Sequence, residues 1–204
     1  MPPGRLITFE GIDGSGKTTQ VRLLADRLQL AGRTVIRTRE PGGAPGAEAI
    51  RSLLVEGETD RWSPETEILL FTAARRDHVE RTIRPALERG ANVLCDRFID
   101  STRVYQGAVR SDLRVMVDDV HRIAIDLEPD LTVVLDVAPD EAGARDAARG
   151  SAEDRFERFG ADFQIKLRAG FLALAAEFPD RCRVVDANGT PEEVAARIAT
   201  AAGL

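Results

Sequence analysis

Apolar and polar positions along this chain follow two periods in turn. Five short runs rich in valine, isoleucine and leucine, at residues 6–9, 34–38, 92–95, 131–135 and 183–185, read as strands. Runs this short and this continuously apolar predict a parallel sheet covered on both faces. The segments between them carry the helical period. Val21, Leu24, Ala25 and Leu28 recur at i, i+3, i+4 and i+7, and Gly32 follows as a stop. Ser63-Pro64 supplies an N-cap and a first-turn proline for a long helix running toward Pro85. Pro191 opens a last helix over 192–202. Residues 150–160, a dense mix of arginine and acid, read as a mobile loop. No internal repeat or low-complexity tract interrupts the alternation. The pattern predicts a three-layer α/β fold with a central parallel five-stranded sheet flanked by helices.

Composition narrows the class without naming a function. At 204 residues the chain fits one α/β domain, 1–204. With 43% hydrophobic and 30% charged residues it reads as an ordinary soluble globular protein. No apolar run reaches membrane-spanning length, and Met1-Pro2-Pro3-Gly4 does not start a signal peptide, so no membrane partner and a cytoplasmic location are expected. Cys95 and Cys182 each lie in an apolar run, where buried reduced thiols are expected. His78 and His121 show no zinc-ligand spacing. A net charge of −6 argues against a nucleic-acid partner. Lysine occurs only at Lys17 and Lys166 against 26 arginines, which makes a lysine at position 17 informative.

Residue 17 closes a phosphate-binding pattern. Gly11-Ile12-Asp13-Gly14-Ser15-Gly16-Lys17-Thr18 spells G-x-x-x-x-G-K-[ST] between an apolar strand and a helix opening at Thr19. In that context the backbone N–H groups from Gly11 to Thr19 can turn around phosphate oxygens, aided by the helix dipole. Lys17 can reach the β- and γ-phosphates of a nucleoside triphosphate, and the Thr18 hydroxyl can hold Mg²⁺. The strand-ending run Val93-Leu94-Cys95-Asp96-Arg97 places Asp96 as a second magnesium residue and Arg97 as a bidentate phosphate grip. Phe71 and Arg75 lie one helical turn apart with small alanines between them. They could stack on a base and donate to its carbonyl, although an aromatic on a helix is more often core.

These motifs occur in a specific company. Phe9-Glu10-Gly11-Ile12-Asp13-Gly14, Thr38-Arg39-Glu40-Pro41-Gly42-Gly43, Asp96-Arg97-Phe98 and Tyr105-Gln106-Gly107, with Phe71 and Arg75 in register, resemble bacterial thymidylate kinases over nearly the whole chain. The resemblance implies a P-loop kinase fold with a short lid at about 145–160, ATP and Mg²⁺, dTMP as small-molecule substrate, and a homodimer. It assigns Asp13 to the sugar 3′-hydroxyl and the organisation of the phosphates, Phe71 to thymine stacking and Arg75 to the base carbonyl. Arg97 would hold the acceptor phosphate with Arg51 and the Arg39-Glu40-Pro41 turn, whose Glu40-Pro41 bond is a candidate cis peptide. Thr102 and Gln106 would meet the base edge, and Tyr105 would lie under the deoxyribose. One branch of the family carries a catalytic arginine inside the phosphate loop. Here that position is Gly14, so the resemblance moves the role to the lid, to Arg149 and Arg155, with Arg145 a turn earlier. A solvated loop with its arginines paired to Glu153, Asp154 and Glu157 is the alternative for that segment. A kinase for another nucleoside monophosphate and a slowly hydrolysing nucleotide switch are the rival functions.

Overall fold

The computed structural model describes residues 4–58, 60–109, 112–147 and 160–203. Five strands form one sheet: β1 (Leu6–Glu10), β2 (Val35–Arg39), β3 (Asn92–Asp96), β4 (Leu131–Asp136) and β5 (Cys182–Asp186). The order is β2-β3-β1-β4-β5, and every pairing is parallel. Each expected strand is present with its ends shifted by about one residue. The two strands flanking β1 belong to different halves of the chain, so a crevice opens at its carboxyl end, where open α/β sheets bind ligands.

The period-two alternation of β1 decides which residue enters which core. Ile7 and Phe9 pack with α1 (Lys17–Leu30), α8 (Ala161–Glu177) and α9 (Pro191–Ala202) through Val21, Leu24, Phe171 and Ile198. Leu6, with Val93 and Cys95, faces the other way, against Ile68, Ile83 and Val117. Those residues come from α3 (Pro64–His78), the segment after it, and α6 (Arg114–Ala124). The remaining described helices are α2 (Pro45–Val55), α4 (Arg84–Glu88), α5 (Ile99–Thr102) and α7 (Pro139–Ala147). None of the described helices is long and apolar enough to cross a membrane. Both cysteines are buried and free, as expected.

The helix ends follow their caps. Ser63 accepts the Thr66 N–H at the start of α3, and Thr190 with Glu193 forms a reciprocal capping box on α9. The long middle helix differs from expectation in its interior. Val79–Ile83 is a π-helical turn, and the helix continues through Pro85 to Glu88. Proline has no N–H to give to the residue four before it; the wider turn instead sends the Arg84 N–H to the Val79 carbonyl. The segment Arg103–Val109 is also π-helical, and it carries Tyr105 and Gln106.

Candidate active site

The phosphate loop leaves β1 and enters α1 in three positive-φ steps, at Gly11, Gly14 and Gly16. Lys17 is the first residue of α1, two positions earlier than the sequence pattern indicated, so its side chain folds back over the loop. Its Nζ donates to the carbonyls of Ile12 at 2.8 Å and Gly11 at 3.2 Å and lies 3.7 Å from Asp13. Burial, then the nearby Arg97 charge, push the Lys17 ammonium below its ordinary range. An arriving polyphosphate would relieve both effects. Ser15 Oγ is buried without a hydrogen-bond partner in the same loop. Gly14 has φ +76, and a Cβ there would lie 2.0 Å from the Ala142 carbonyl oxygen on α7. A side chain of any size at this position would displace backbone, which leaves no room for a loop-borne arginine.

Beside the loop, the Thr18 hydroxyl donates to Asp96 Oδ2 at 2.6 Å. Register places Asp96 next to Phe9 on the neighbouring strand, so hydroxyl and carboxylate sit together at the carboxyl ends of β1 and β3. Two hard oxygens, one negative, suit Mg²⁺ either directly or through its waters.

Arg97 follows with φ 67, in the left-handed region that non-glycine residues rarely enter. That turn swings its guanidinium back over the phosphate loop. Nη1 donates to the Gly11 carbonyl and to Ser101 Oγ; Nη2 pairs with Asp13 and reaches Tyr105 Oη at 3.2 Å. Burial alone would raise the Asp13 carboxyl, but Arg97 and Lys17 outweigh it and hold Asp13 below the usual carboxylate range. Glu10, wholly buried at the end of β1, braces this turn. It accepts from the Phe98 N–H at 2.8 Å, the Ser101 N–H at 3.3 Å and Ser101 Oγ at 2.6 Å. Desolvation, reinforced by Asp100, raises its pKa to about 7.

Next to Arg97 opens a cleft of about 610 Å³, its mouth included. All ten residues expected to contact the acceptor line it: Asp13, Glu40, Pro41, Arg51, Phe71, Arg75, Arg97, Thr102, Tyr105 and Gln106. The Glu40-Pro41 bond is cis, and Arg51 Nη1 donates to the Pro41 carbonyl at 2.6 Å, tying α2 to that turn. Phe71 is partly buried against the main core and also lines the cleft. Arg75 is 2% exposed; its Nε donates to Glu40 at 2.7 Å and its Nη2 to Thr102 Oγ1 at 3.0 Å. Its Nη1 is buried with no partner. Tyr105 is wedged edge-on against Phe163 and Phe171 and donates to Asp13 at 3.3 Å, so its ring is a fixed wall.

A second cleft, of about 580 Å³, lies across the phosphate loop, where Ser15, Gly16 and Thr19 face Arg145, Ala187 and Gly189. Arg145 donates to the Ala187 carbonyl at 3.0 Å. Arg149 and Arg155, and most of the expected lid, lie outside the described residues.

Several side chains that hold the site together had no role assigned from sequence, although Glu10 lies inside a quoted motif. Glu10 and Ser101 brace Arg97, Glu67 accepts from Gln106 at 2.9 Å, and His78 Nδ1 meets Glu40 at 3.0 Å while Nε2 meets Thr38 Oγ1 at 2.6 Å. Gly43 must lack a side chain here, because a Cβ would fall 2.4 Å from both His78 Nε2 and Thr38 Oγ1. The available sign was a polar residue at a helical core position, as at Glu67 and His78.

A family model described as thymidylate kinase matches residues 9–198. A thymidylate kinase of Dinoroseobacter shibae is 64% identical over 196 residues, 96% of this chain and 95% of that one. One from Jannaschia sp. is 63% identical over 203 residues, covering 100% and 97%. Among solved structures, a crystal structure of thymidylate kinase from Ehrlichia chaffeensis superposes with a TM-score of 0.79 at 35% identity, covering 98% of each chain.

Proposed function

The chain belongs to the thymidylate kinase family, and on that premise we propose how its residues divide the family's reaction. The enzyme phosphorylates dTMP to dTDP with ATP as donor, a step toward dTTP. The acceptor phosphate is already ionised at neutral pH, so no strong general base is required. Two polyanions must be aligned and their repulsion cancelled.

On our reading the triphosphate lies on the loop from Gly11 to Thr19, with Lys17 on its outer phosphates and adenosine toward Arg145. Thr18 and Asp96 would hold Mg²⁺, which when bound draws charge from the β- and γ-phosphates. Their 2.6 Å pairing and hard-oxygen character fit that ion. Arg97 grips the dTMP phosphate by exchanging its Asp13 and Ser101 partners for phosphate oxygens, assisted by Arg51. Asp13, released from Arg97, takes the 3′-hydroxyl. Tyr105 packs under the sugar, where its fixed ring crowds a 2′-hydroxyl. Phe71 stacks on the base, Arg75 Nη1 donates to its carbonyl, and Thr102 and Gln106 meet its edge. The single observation that carries this reading is Arg75. A buried guanidinium with one unpartnered N–H₂ beside a cleft requires an acceptor, and a pyrimidine carbonyl supplies one.

Arg149 and Arg155 we assign to the transferring phosphoryl on a lid at about 145–160, within a single domain, 1–204. Leu69 on α3 and Val115 and Ile123 on α6 are exposed apolar residues, which supports a homodimer. Free buried thiols support a cytoplasmic location.

The test is ADP release measured with dTMP, dUMP, dCMP, dGMP and thymidine. dTMP gives the highest kcat/KM on this account; equal or better turnover of another acceptor refutes it.

A further inference from the structure

Behind the base end of the acceptor cleft lies a carboxylate that phosphoryl transfer does not use. Glu67 is completely buried on α3, and with Phe71 and Arg75 it forms a stripe at i, i+4 and i+8 on one helix face. Gln106, from the π-helical segment, is 1% exposed, lines the cleft, and donates Nε2 to Glu67 Oε2 at 2.9 Å. A primary amide has two unlike ends, an N–H₂ that donates and an oxygen that accepts. A carboxylate only accepts. Their bond therefore selects one of the two amide orientations, with the N–H₂ turned toward α3 and the oxygen at the opposite end.

We infer that Glu67 is a specificity-determining positioning residue: by holding the Gln106 amide group, it presents the Gln106 oxygen to the base as an acceptor for the ring imide N–H. This rests on the reading of the cleft given above. The two base readers then have fixed and opposite polarity, Arg75 donating to a carbonyl and Gln106 accepting from the neighbouring N–H. Thymine and uracil match both. Cytosine mismatches both, since it offers an amino group where Arg75 donates and a lone pair where Gln106 accepts. A glutamine at position 67 could donate as well as accept, so it would allow the Gln106 amide to turn over.

The experiment compares Glu67→Gln and Glu67→Asp with the natural enzyme, measuring the dTMP KM and the competitive inhibition constant of dCMP. The expected result for Glu67→Gln is a rise in the dTMP KM of about ten-fold, with kcat less affected, and a dCMP-to-dTMP preference shifted at least about ten-fold toward dCMP. Glu67→Asp, still acceptor-only, should keep the natural preference. A merely structural Glu67 would lower the melting temperature without moving the preference. A Glu67→Gln enzyme that melts normally with an unchanged preference overturns the inference. The natural enzyme gives a second test that does not depend on a folded variant. N3-methyl-dTMP lacks the imide proton and should inhibit at least about ten-fold more weakly than dTMP binds; equal inhibition overturns the inference. Gln106→Ala separates the two levels of argument. An unchanged dTMP KM in that variant refutes the cleft reading itself, whereas a raised KM beside an inert Glu67→Gln refutes only the role of Glu67.

Discussion

Arg75 and Glu40 form an ion pair at 2.7 Å between side chains that are 1% and 4% exposed. The pair joins α3 to the cis-proline turn after β2 and is completed by His78 on the second carboxylate oxygen. Both charges depend on the contact, because neither reaches water. The arrangement spends Nε on Glu40 and Nη2 on Thr102 and leaves Nη1 for a ligand.

Arg75→Lys keeps the charge but removes the fork, since an ammonium cannot serve Glu40, Thr102 and a base together. We expect a lower melting temperature and a dTMP KM raised by about ten- to a hundred-fold, from roughly 1.5–3 kcal/mol of lost charge-assisted hydrogen bonding. The ATP KM should stay within about two-fold of the natural value, because changes at well-separated sites act nearly independently.

Phe71→Ala removes the stacking ring while leaving the phosphate loop intact. Base–aromatic stacking is worth about 1–3 kcal/mol, so the dTMP KM should rise by roughly 5- to 150-fold. Steady-state kinetics with each substrate varied in turn checks it. Part of the loss will appear as lower stability, because the ring also packs on the main core.

Arg149→Ala and Arg155→Ala test whether the cation excluded from position 14 comes from the lid. At least one of the two should lower kcat by about a thousand-fold, with a much smaller change in either KM. Loss of rate in neither would leave the transferring phosphoryl without its arginine and refute the lid assignment.

Glu10 gives a pH prediction. Its carboxyl is raised by burial, and next by Asp100, from an ordinary 4.5 to about 7. Between those values the folded state holds more protons than the unfolded one, so this group's contribution to stability falls as pH rises through that window. Glu10→Gln cannot show that decline. In urea unfolding the variant should gain on the natural protein by up to roughly 3 kcal/mol from pH 5 to pH 8. A difference that stays flat across that range would contradict the environment described for Glu10.

Sequence pattern and structure agree where one local rule decides the outcome. The runs at 6–9 and 131–135 became β1 and β4 because buried parallel strands leave few alternatives for apolar segments of that length. The phosphate loop was legible because its glycines and Lys17 are adjacent in sequence. The braces were not. Glu67 meets Gln106 across 39 residues and Glu10 meets Ser101 across 91, so their purpose exists only after the sheet has formed. The π-helical turns at Val79–Ile83 and Arg103–Val109 were equally hidden, since one extra residue per turn leaves no compositional mark. Phe71 was ambiguous in sequence because its ring serves core and cleft together.

A crystal structure of the enzyme with dTMP bound tests the division of labour most directly. The account predicts thymine stacked on Phe71, a base carbonyl within hydrogen-bond distance of Arg75 Nη1, and the phosphate on Arg97 in place of Asp13. A base bound away from Phe71 with Arg75 Nη1 still unpartnered would contradict it.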